Sequence, residues 1–246
     1  MMAAMELGIE GRVAVVTGAT RGIGAAVAER LEGEGARVVR VARSEGIDVT
    51  APDAAEQIAE RAAGPVDILV NNAGTSEIKP LEEMTDGHFY AAFELNVMAP
   101  MRLMRHFAPL MAERGWGRIV NVTSTAGKRP SQTWPAYSVA KAAQHSLSRL
   151  YADFWAPRGV LVNAVAPGPT GTSLWRGPGG LAEQVAARQG VTPEEAIALQ
   201  SRKVPLGRFG EAEEAGAVIA FLCSERASWV TGAAWSADGG TWQSML

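Results

Sequence analysis

Short apolar runs recur along the chain, at "RVAVVTG", "ARVVRVA", "VDILVNN", "GRIVNVTS", "GVLVNAVAPG" and "AAWSADGG", and most are separated by longer segments with helical spacing. The first is typical: Val13 to Val16 is short, β-branched and bounded by Thr17-Gly18, the mark of a buried strand, and "GIGAAVAERLEGEG" then turns to a helical repeat. Strands alternating with helices predict an α/β fold with a doubly wound parallel sheet and helices on both faces, in a single domain spanning residues 1–246. Ligands of such sheets lie outside the carboxyl ends of the strands. The residues that close the apolar runs are therefore the place to look for chemistry: Thr17-Gly18, Asn71-Asn72-Ala73-Gly74, Ser124 and Pro167-Gly168.

One segment departs from the alternation. From about residue 172 to 204 the chain carries Gly177-Pro178-Gly179-Gly180 and resumes helical spacing only within itself. A connection of this length in a compact domain is usually functional, and this one follows a strand end at the ligand edge, so a helical substrate lid is expected over 172–204.

Composition narrows the function by exclusion. With 47% hydrophobic residues and a net charge of -3 over 246 residues, neither nucleic acid nor an anionic membrane surface is an expected partner. No run reaches the roughly 20 apolar residues of a membrane span, and the start, "MMAAMELGIEGR", lacks a basic leader, so a cytoplasmic protein is expected. Cys223 stands alone in the apolar stretch "AGAVIAFLCSE" and reads as a small buried hydrophobe. His88, His106 and His145 fall in helical patterns without metal-ligand spacing, read as surface or core residues, and no metal site is expected. The surroundings of Ser124, "VTSTAG", do not match the G-x-S-x-G elbow of a hydrolase.

The strongest chemical candidate is "YSVAK", where Tyr137 and Lys141 share one helix face behind Pro135, with Ser124 at a strand end thirteen positions earlier. An unperturbed phenol has a pKa of about 10. An ammonium about 4 Å away attracts the phenolate by about 4 kcal/mol at an effective dielectric near 20, enough to lower that pKa by as much as about 3. The phenol is then expected to act as a general acid or base near neutral pH, with the Ser124 hydroxyl holding the same oxygen.

Taken together, "TGATRGIG" (residues 17–24), "NNAG" (71–74), Asn96 in "ELNVMAP", Ser124, "YSVAK" and "PGPTGT" (167–172) resemble the short-chain dehydrogenase/reductase family, in order and over about residues 11 to 240. The resemblance is nearest to its 3-oxoacyl-carrier-protein-reductase-like branch. It implies a Rossmann-type sheet and an NAD(P)-dependent oxidoreductase that interconverts a ketone and a secondary alcohol on a small-molecule carbonyl or alcohol substrate. The spacing G-x-x-x-G-x-G of Gly18, Gly22 and Gly24 is then the family's phosphate loop, with Ile23 inside it. Gly18 permits the turn, while Gly22 and Gly24 let backbone and helix N-terminus approach a diphosphate. Tyr137 is implied as the acid/base, Ser124 as the residue that positions the substrate oxygen, and Lys141 as the ribose ligand that lowers the phenol pKa. Asn96 completes the tetrad through a water that links the lysine to solvent. Asn72, Ala73 and Gly74 are implied on the adenine-ribose side, and Pro167, Gly168 and Thr170 at the carboxamide, with Thr172 nearby.

Further expectations follow. The stretch between Arg43 and Asp67 is short for the family, so the third strand and the following helix are expected to be trimmed, and Asp48 and Val49 in "GIDVT" stand where the family contacts adenine. At the end of the second strand, where an NAD site usually carries Asp or Glu, this chain has Ala42. Arg43 and Arg21 then favour a 2′-phosphate, and NADP(H) over NAD(H). Trp134 and Trp175 are candidates for the substrate pocket wall. The resemblance, with the apolar segments "NVMAPMRLMRHFAPLMAE" and "AAQHSLSRLYADFWA", implies a homotetramer, and the tail "WQSML" is placed toward a neighbouring subunit's pocket. Two alternatives share these motifs: a catalytically silent dinucleotide sensor and a structural subunit of the same fold.

Overall fold

A computed structural model describes residues 6–243. All six apolar runs form strands: β1 (Val13–Thr17), β2 (Arg37–Val41), β3 (Ile68–Asn71), β4 (Gly117–Val122), β5 (Val160–Pro167) and β6 (Ala234–Ala237). They make one sheet in the order β2-β1-β3-β4-β5-β6, with every neighbouring pair parallel. This is the Rossmann-type α/β arrangement that the alternation predicts.

Strand periodicity divides the core between the two faces. Val13, Val15, Leu69, Ile119 and Val162 pack with α2 (Ala54–Ala62), α4 (Ala99–Glu113) and α6 (Pro135–Trp155), while Ala14, Val16, Val70 and Val120 pack with α1 (Gly22–Gly33) and α10 (Ala212–Leu222). Each Val, Leu or Ile buried in this way contributes about 1.5–3 kcal/mol. At the amino ends of the strands, Asp67 accepts the Val13 amide at 3.0 Å and lies 3.6 Å from Arg12 and 3.5 Å from Arg114, so that edge is tied up in ion pairs. The carboxyl edge is left to the loops.

The expected shortening falls partly elsewhere. β3 is brief, with four residues, but the reduced helix is the nine-residue α2 that precedes it. After β3 the chain builds α3 (Asp86–Phe93), a π-helical turn (Glu94–Met98) and the fifteen-residue α4 without interruption. The missing residues are those of the β2–β3 crossover, which the Arg43–Asp67 stretch forms. Residues 172–204 fold as α7 (Ser173–Arg176), α8 (Leu181–Gln189) and α9 (Pro193–Ser201), the last begun by a capping box of Thr192 and Glu195. Trp175, Leu181, Ala182 and Phe209 form their own small apolar cluster with Ile78 and Trp134. Among the described residues no helix is long and apolar enough to cross a membrane.

Candidate active site

The carboxyl ends of β1, β3, β4 and β5 open into a cavity of about 790 Å³, which reaches from the glycine loop and the end of β2 to the first lid helices. At one end Gly18 and Gly22 have positive φ of 66° and 58°, turning the chain from β1 into α1. Arg21 precedes that helix without a side-chain cap, and no acidic residue lies in the first turn. The first amides of α1 are therefore uncapped donors at the positive end of a helix dipole, a donor set that suits a diphosphate. A Cβ at Gly22 would stand 3.1 Å from the Thr172 side chain and narrow this cradle. Gly24 has a different reason: a Cβ there would lie 2.3 Å from the Gly18 carbonyl and 2.4 Å from Asn72 Nδ2. Packing of helix against loop within the protein is thus a further reason for glycine at this position.

Asn72 explains that crowding. Its Nδ2 donates to the carbonyls of Thr17 at 2.9 Å and Gly18 at 3.2 Å, and the Thr17 hydroxyl accepts the amides of Asn72 and Ala73, so the loops after β1 and β3 are stitched together. Arg40 adds a further tie from Nη1 to the Ala19 carbonyl. Beside the loop, Asp48 accepts the Thr50 amide and hydroxyl, which hold its carboxyl below the usual range, and Val49 is buried next to it. Ala42, Arg43, Arg21, Asp48 and Val49 all line the cavity. Arg43 and Arg21 are exposed, and among the described residues neither is in a salt bridge, including with Glu45.

At the centre, Ser124 closes β4 and caps the short helix α5 (Thr125–Lys128), where its Oγ accepts the Ala126 amide at 3.1 Å. Tyr137, which Pro135 at the start of α6 places in the first turn of that helix, lines the same cavity as Ser124. Burial pushes the phenol up to about 12, and the neighbouring Ser124 hydroxyl only partly opposes it. This reverses the expected lowering. Lys141 Nζ lies 5.6 Å from the Tyr137 ring centroid and donates instead to the Val122 carbonyl at 2.8 Å and to Gln144 Oε1 at 2.9 Å. Burial draws the lysine itself down to about 7, so the loss of hydration outweighs the mutual attraction on which the expectation rested.

Asn96 sits in the π-helical turn, 1% exposed, with Nδ2 donating to the Ala92 carbonyl at 2.9 Å and a buried Oδ1 that has no partner. An ideal Cβ on Gly74 would be 3.0 Å from that Oδ1 and 3.6 Å from Lys141 Nζ, so Gly74 leaves a polar gap between the two. At β5, the Thr170 hydroxyl donates to the Gly168 carbonyl at 3.0 Å, and Pro167, Gly168, Thr170 and Thr172 form the cavity wall that leads into the lid. Trp134 and Trp175 meet edge to face at 6.2 Å between ring centroids and line the far end. Trp242, from the C-terminal tail, lines this chain's own cavity, contrary to the placement at a neighbour; residues 244–246 lie outside the described part of the chain.

Two participants were passed over in the sequence. His145, read there as a surface or core residue, has Nε2 at 3.4 Å from the Ser124 carbonyl and a buried Nδ1 without a partner, and burial draws it down to about 4. Gln144 stands one helical turn after Lys141, a spacing that places both on one face and was available as a signal. Cys223 is fully buried, its thiol pushed up to about 12 by desolvation. Among the described residues no group of three or more His, Cys, Asp or Glu is placed to hold a metal ion.

Comparison with known proteins extends these observations over almost the whole chain. The profile of a family described as enoyl-(acyl carrier protein) reductase matches residues 18–241. The chain is 34% identical over 254 residues to a 3-oxoacyl-[acyl-carrier-protein] reductase of Salmonella typhimurium, covering 95% of this chain and 98% of the relative. It is 34% identical over 256 residues to an L-xylulose reductase of Bos taurus, with 96% and 98% covered. A solved structure of L-sorbose reductase from Gluconobacter frateurii, complexed with NADPH and L-sorbose, superposes with a TM-score of 0.89 at 32% identity, over 98% of this chain and all of that one.

Proposed function

The chain belongs to the short-chain dehydrogenase/reductase family of NAD(P)-dependent oxidoreductases, and from that premise we propose that it interconverts a ketone and a secondary alcohol, with NADP(H) used in preference to NAD(H). One observation carries the reading: Ser124 and Tyr137 line one cavity whose other end is the uncapped N-terminus of α1. A nicotinamide dinucleotide, when bound, supplies or accepts the hydride.

The chain's own residues manage the oxygen and its proton. Ser124 holds the carbonyl oxygen by a hydrogen bond and Tyr137 donates the proton that this oxygen takes up. A phenol near 12 keeps its proton at neutral pH, and an alkoxide forming at the oxygen is basic enough to take it. In the oxidative direction the same phenol oxygen takes the proton back. Lys141 is the group beneath the phenol whose charge stabilises a phenolate, and its ammonium serves the cofactor ribose. Asn96 Oδ1, buried and unpartnered beside the gap at Gly74, is the acceptor for a water that renews the proton from solvent.

The glycine loop with Gly18, Gly22, Ile23 and Gly24 is assigned to the diphosphate, and Asp48, Val49, Asn72, Ala73 and Gly74 to the adenosine side. Pro167, Gly168, Thr170 and Thr172 take the carboxamide. The NADP(H) preference is supported by Ala42 in place of an acid, by Arg21 and Arg43, neither of which is in a salt bridge among the described residues, and by the NADPH held in the L-sorbose reductase structure. Trp134 and Trp175 form the apolar wall for the substrate, residues 172–204 form its lid in a single domain, and the assembly is a homotetramer. The test is a panel of ketones and diketones with NADPH, read as loss of reduced-nicotinamide absorbance. Turnover excludes a silent sensor or structural subunit, whereas tight NADPH binding with no turnover on any carbonyl refutes the reading.

A further inference from the structure

Among the described residues Lys141 has no anionic partner. Its Nζ is 2% exposed at the residue level and donates to two neutral oxygens, the Val122 carbonyl of β4 and the side-chain oxygen of Gln144 on its own helix. The groups that face it from the surrounding elements are Tyr137 on α6, Asn96 on the π-helical turn, Gly74 after β3, and the imidazole of His145, with Lys128 of α5 beyond. None of these is a carboxylate. Val122 offers a main-chain oxygen that any residue would supply, so among the described residues Gln144 is the only side chain that accepts from this ammonium.

Gln144 is itself 1% exposed and anchored. Its main-chain carbonyl accepts the Ser148 hydroxyl at 2.8 Å, Ser148 Oγ accepts Asn121 Nδ2 at 2.8 Å, and Asn121 Oδ1 accepts Asn71 Nδ2 at 2.8 Å. A buried polar chain thus ties the turn of α6 that carries Gln144 to β4 and β3, whose ends form the site. A buried amide is costly unless it is bonded, and an apolar residue would pack here without that cost.

Resting on the role given to Lys141 above, we propose that Gln144 is a positioning residue of this enzyme: a neutral acceptor that keeps the Lys141 side chain charged and seated beneath the phenol. The choice of an amide has a consequence. An apolar residue in its place leaves the ammonium with one acceptor and favours the neutral amine. A carboxylate in its place strengthens the charged form. The amide holds the lysine in between, where burial leaves it near 7.

The chain has four lysines, Lys79, Lys128, Lys141 and Lys203, so each can be followed by NMR in protein labelled with carbon-13 at lysine Cε. Wild type, Gln144→Leu and Gln144→Glu are titrated without cofactor, with Lys141→Arg to assign the signal, and NADPH affinity and the pH profile of carbonyl reduction are measured in parallel. The expected result is that Lys141 titrates at least about one pH unit lower in Gln144→Leu and at least about one higher in Gln144→Glu. The alkaline limb of activity, and the pH at which NADPH affinity declines, should move the same way, with Gln144→Glu active at neutral pH. A role confined to packing would lower stability or kcat and leave all three midpoints in place. If Gln144→Leu does not fold, Gln144→Glu alone decides. An unmoved Lys141 titration overturns the inference whatever turnover shows. A titration that moves while NADPH affinity and the rate profile stay fixed overturns the link to function, and with it the use of Lys141 in the proposed reaction. Absence of turnover in wild type, with the titration moving as expected, counts against the proposed reaction alone.

Discussion

Replacing Tyr137 by Phe removes one oxygen from the centre of the cavity and keeps the ring that packs there. With the phenol near 12, forming its anion at pH 7 costs about 7 kcal/mol, so the hydroxyl is present as a proton donor in essentially every molecule. Deletion takes that donor away entirely, and general acid catalysis of this kind is worth about 10²–10⁴-fold. The structural cost is much smaller: the ring is kept and Ser124 Oγ keeps its bond from the Ala126 amide, so at most about 1 kcal/mol of stability is at stake. NADPH affinity should stay within about 2-fold, since the diphosphate and adenosine contacts lie at the other end of the cavity. The assay is steady-state reduction of an accepted ketone, together with NADPH titration by fluorescence and thermal unfolding of both proteins. A mutant that keeps more than about a tenth of wild-type kcat refutes Tyr137 as the acid. A mutant that loses rate and NADPH affinity in proportion would show that the phenol serves binding rather than proton transfer.

Arg43→Ala should reduce the preference for NADPH over NADH in kcat/KM by roughly ten-fold, from the loss of a charge-assisted contact to the 2′-phosphate; an unchanged ratio would remove Arg43 from that role. Gly24→Ala should both destabilise the fold and weaken NADPH binding, because its Cβ meets the Gly18 carbonyl at 2.3 Å; a thermal midpoint equal to wild type would contradict the packing argument. His145, drawn down to about 4 from an ordinary 6.5, binds its proton less readily folded than unfolded. Its contribution is therefore complete above 6.5 and lost as pH falls toward 4, by up to about 3 kcal/mol, and His145→Gln should flatten urea stability over that range. Light scattering at micromolar concentration should give four times the 25.9 kDa chain mass, and a monomer would exclude the tetramer.

What the sequence determined by itself is local. All six strands stand where the apolar runs fall, and the central ones β1 and β3 are recognisable without their neighbours because a strand buried on both faces must be apolar nearly throughout. The positive φ of Gly18 and Gly22 and the proline that opens α6 are likewise properties of a few adjacent residues, so the glycine loop and the helix bearing Tyr137 and Lys141 were legible. Tertiary structure decided whatever depends on what surrounds a group. The Tyr137–Lys141 spacing suggested a lowered phenol, yet burial removes water from both side chains and carries Tyr137 upward, an effect that no pair of positions records. Gly24 is small because Asn72, far along the chain, is folded against it, and Trp242 reaches this chain's own cavity because Asp238 accepts its amide at 2.7 Å. His145 became part of the site only when β4 was laid beside α6, whereas the pairing of Gln144 with Lys141 is a matter of helix spacing alone. Desolvation and long-range packing are sums over neighbours supplied by the whole fold, whereas strand pattern and turn geometry are sums over a few consecutive residues.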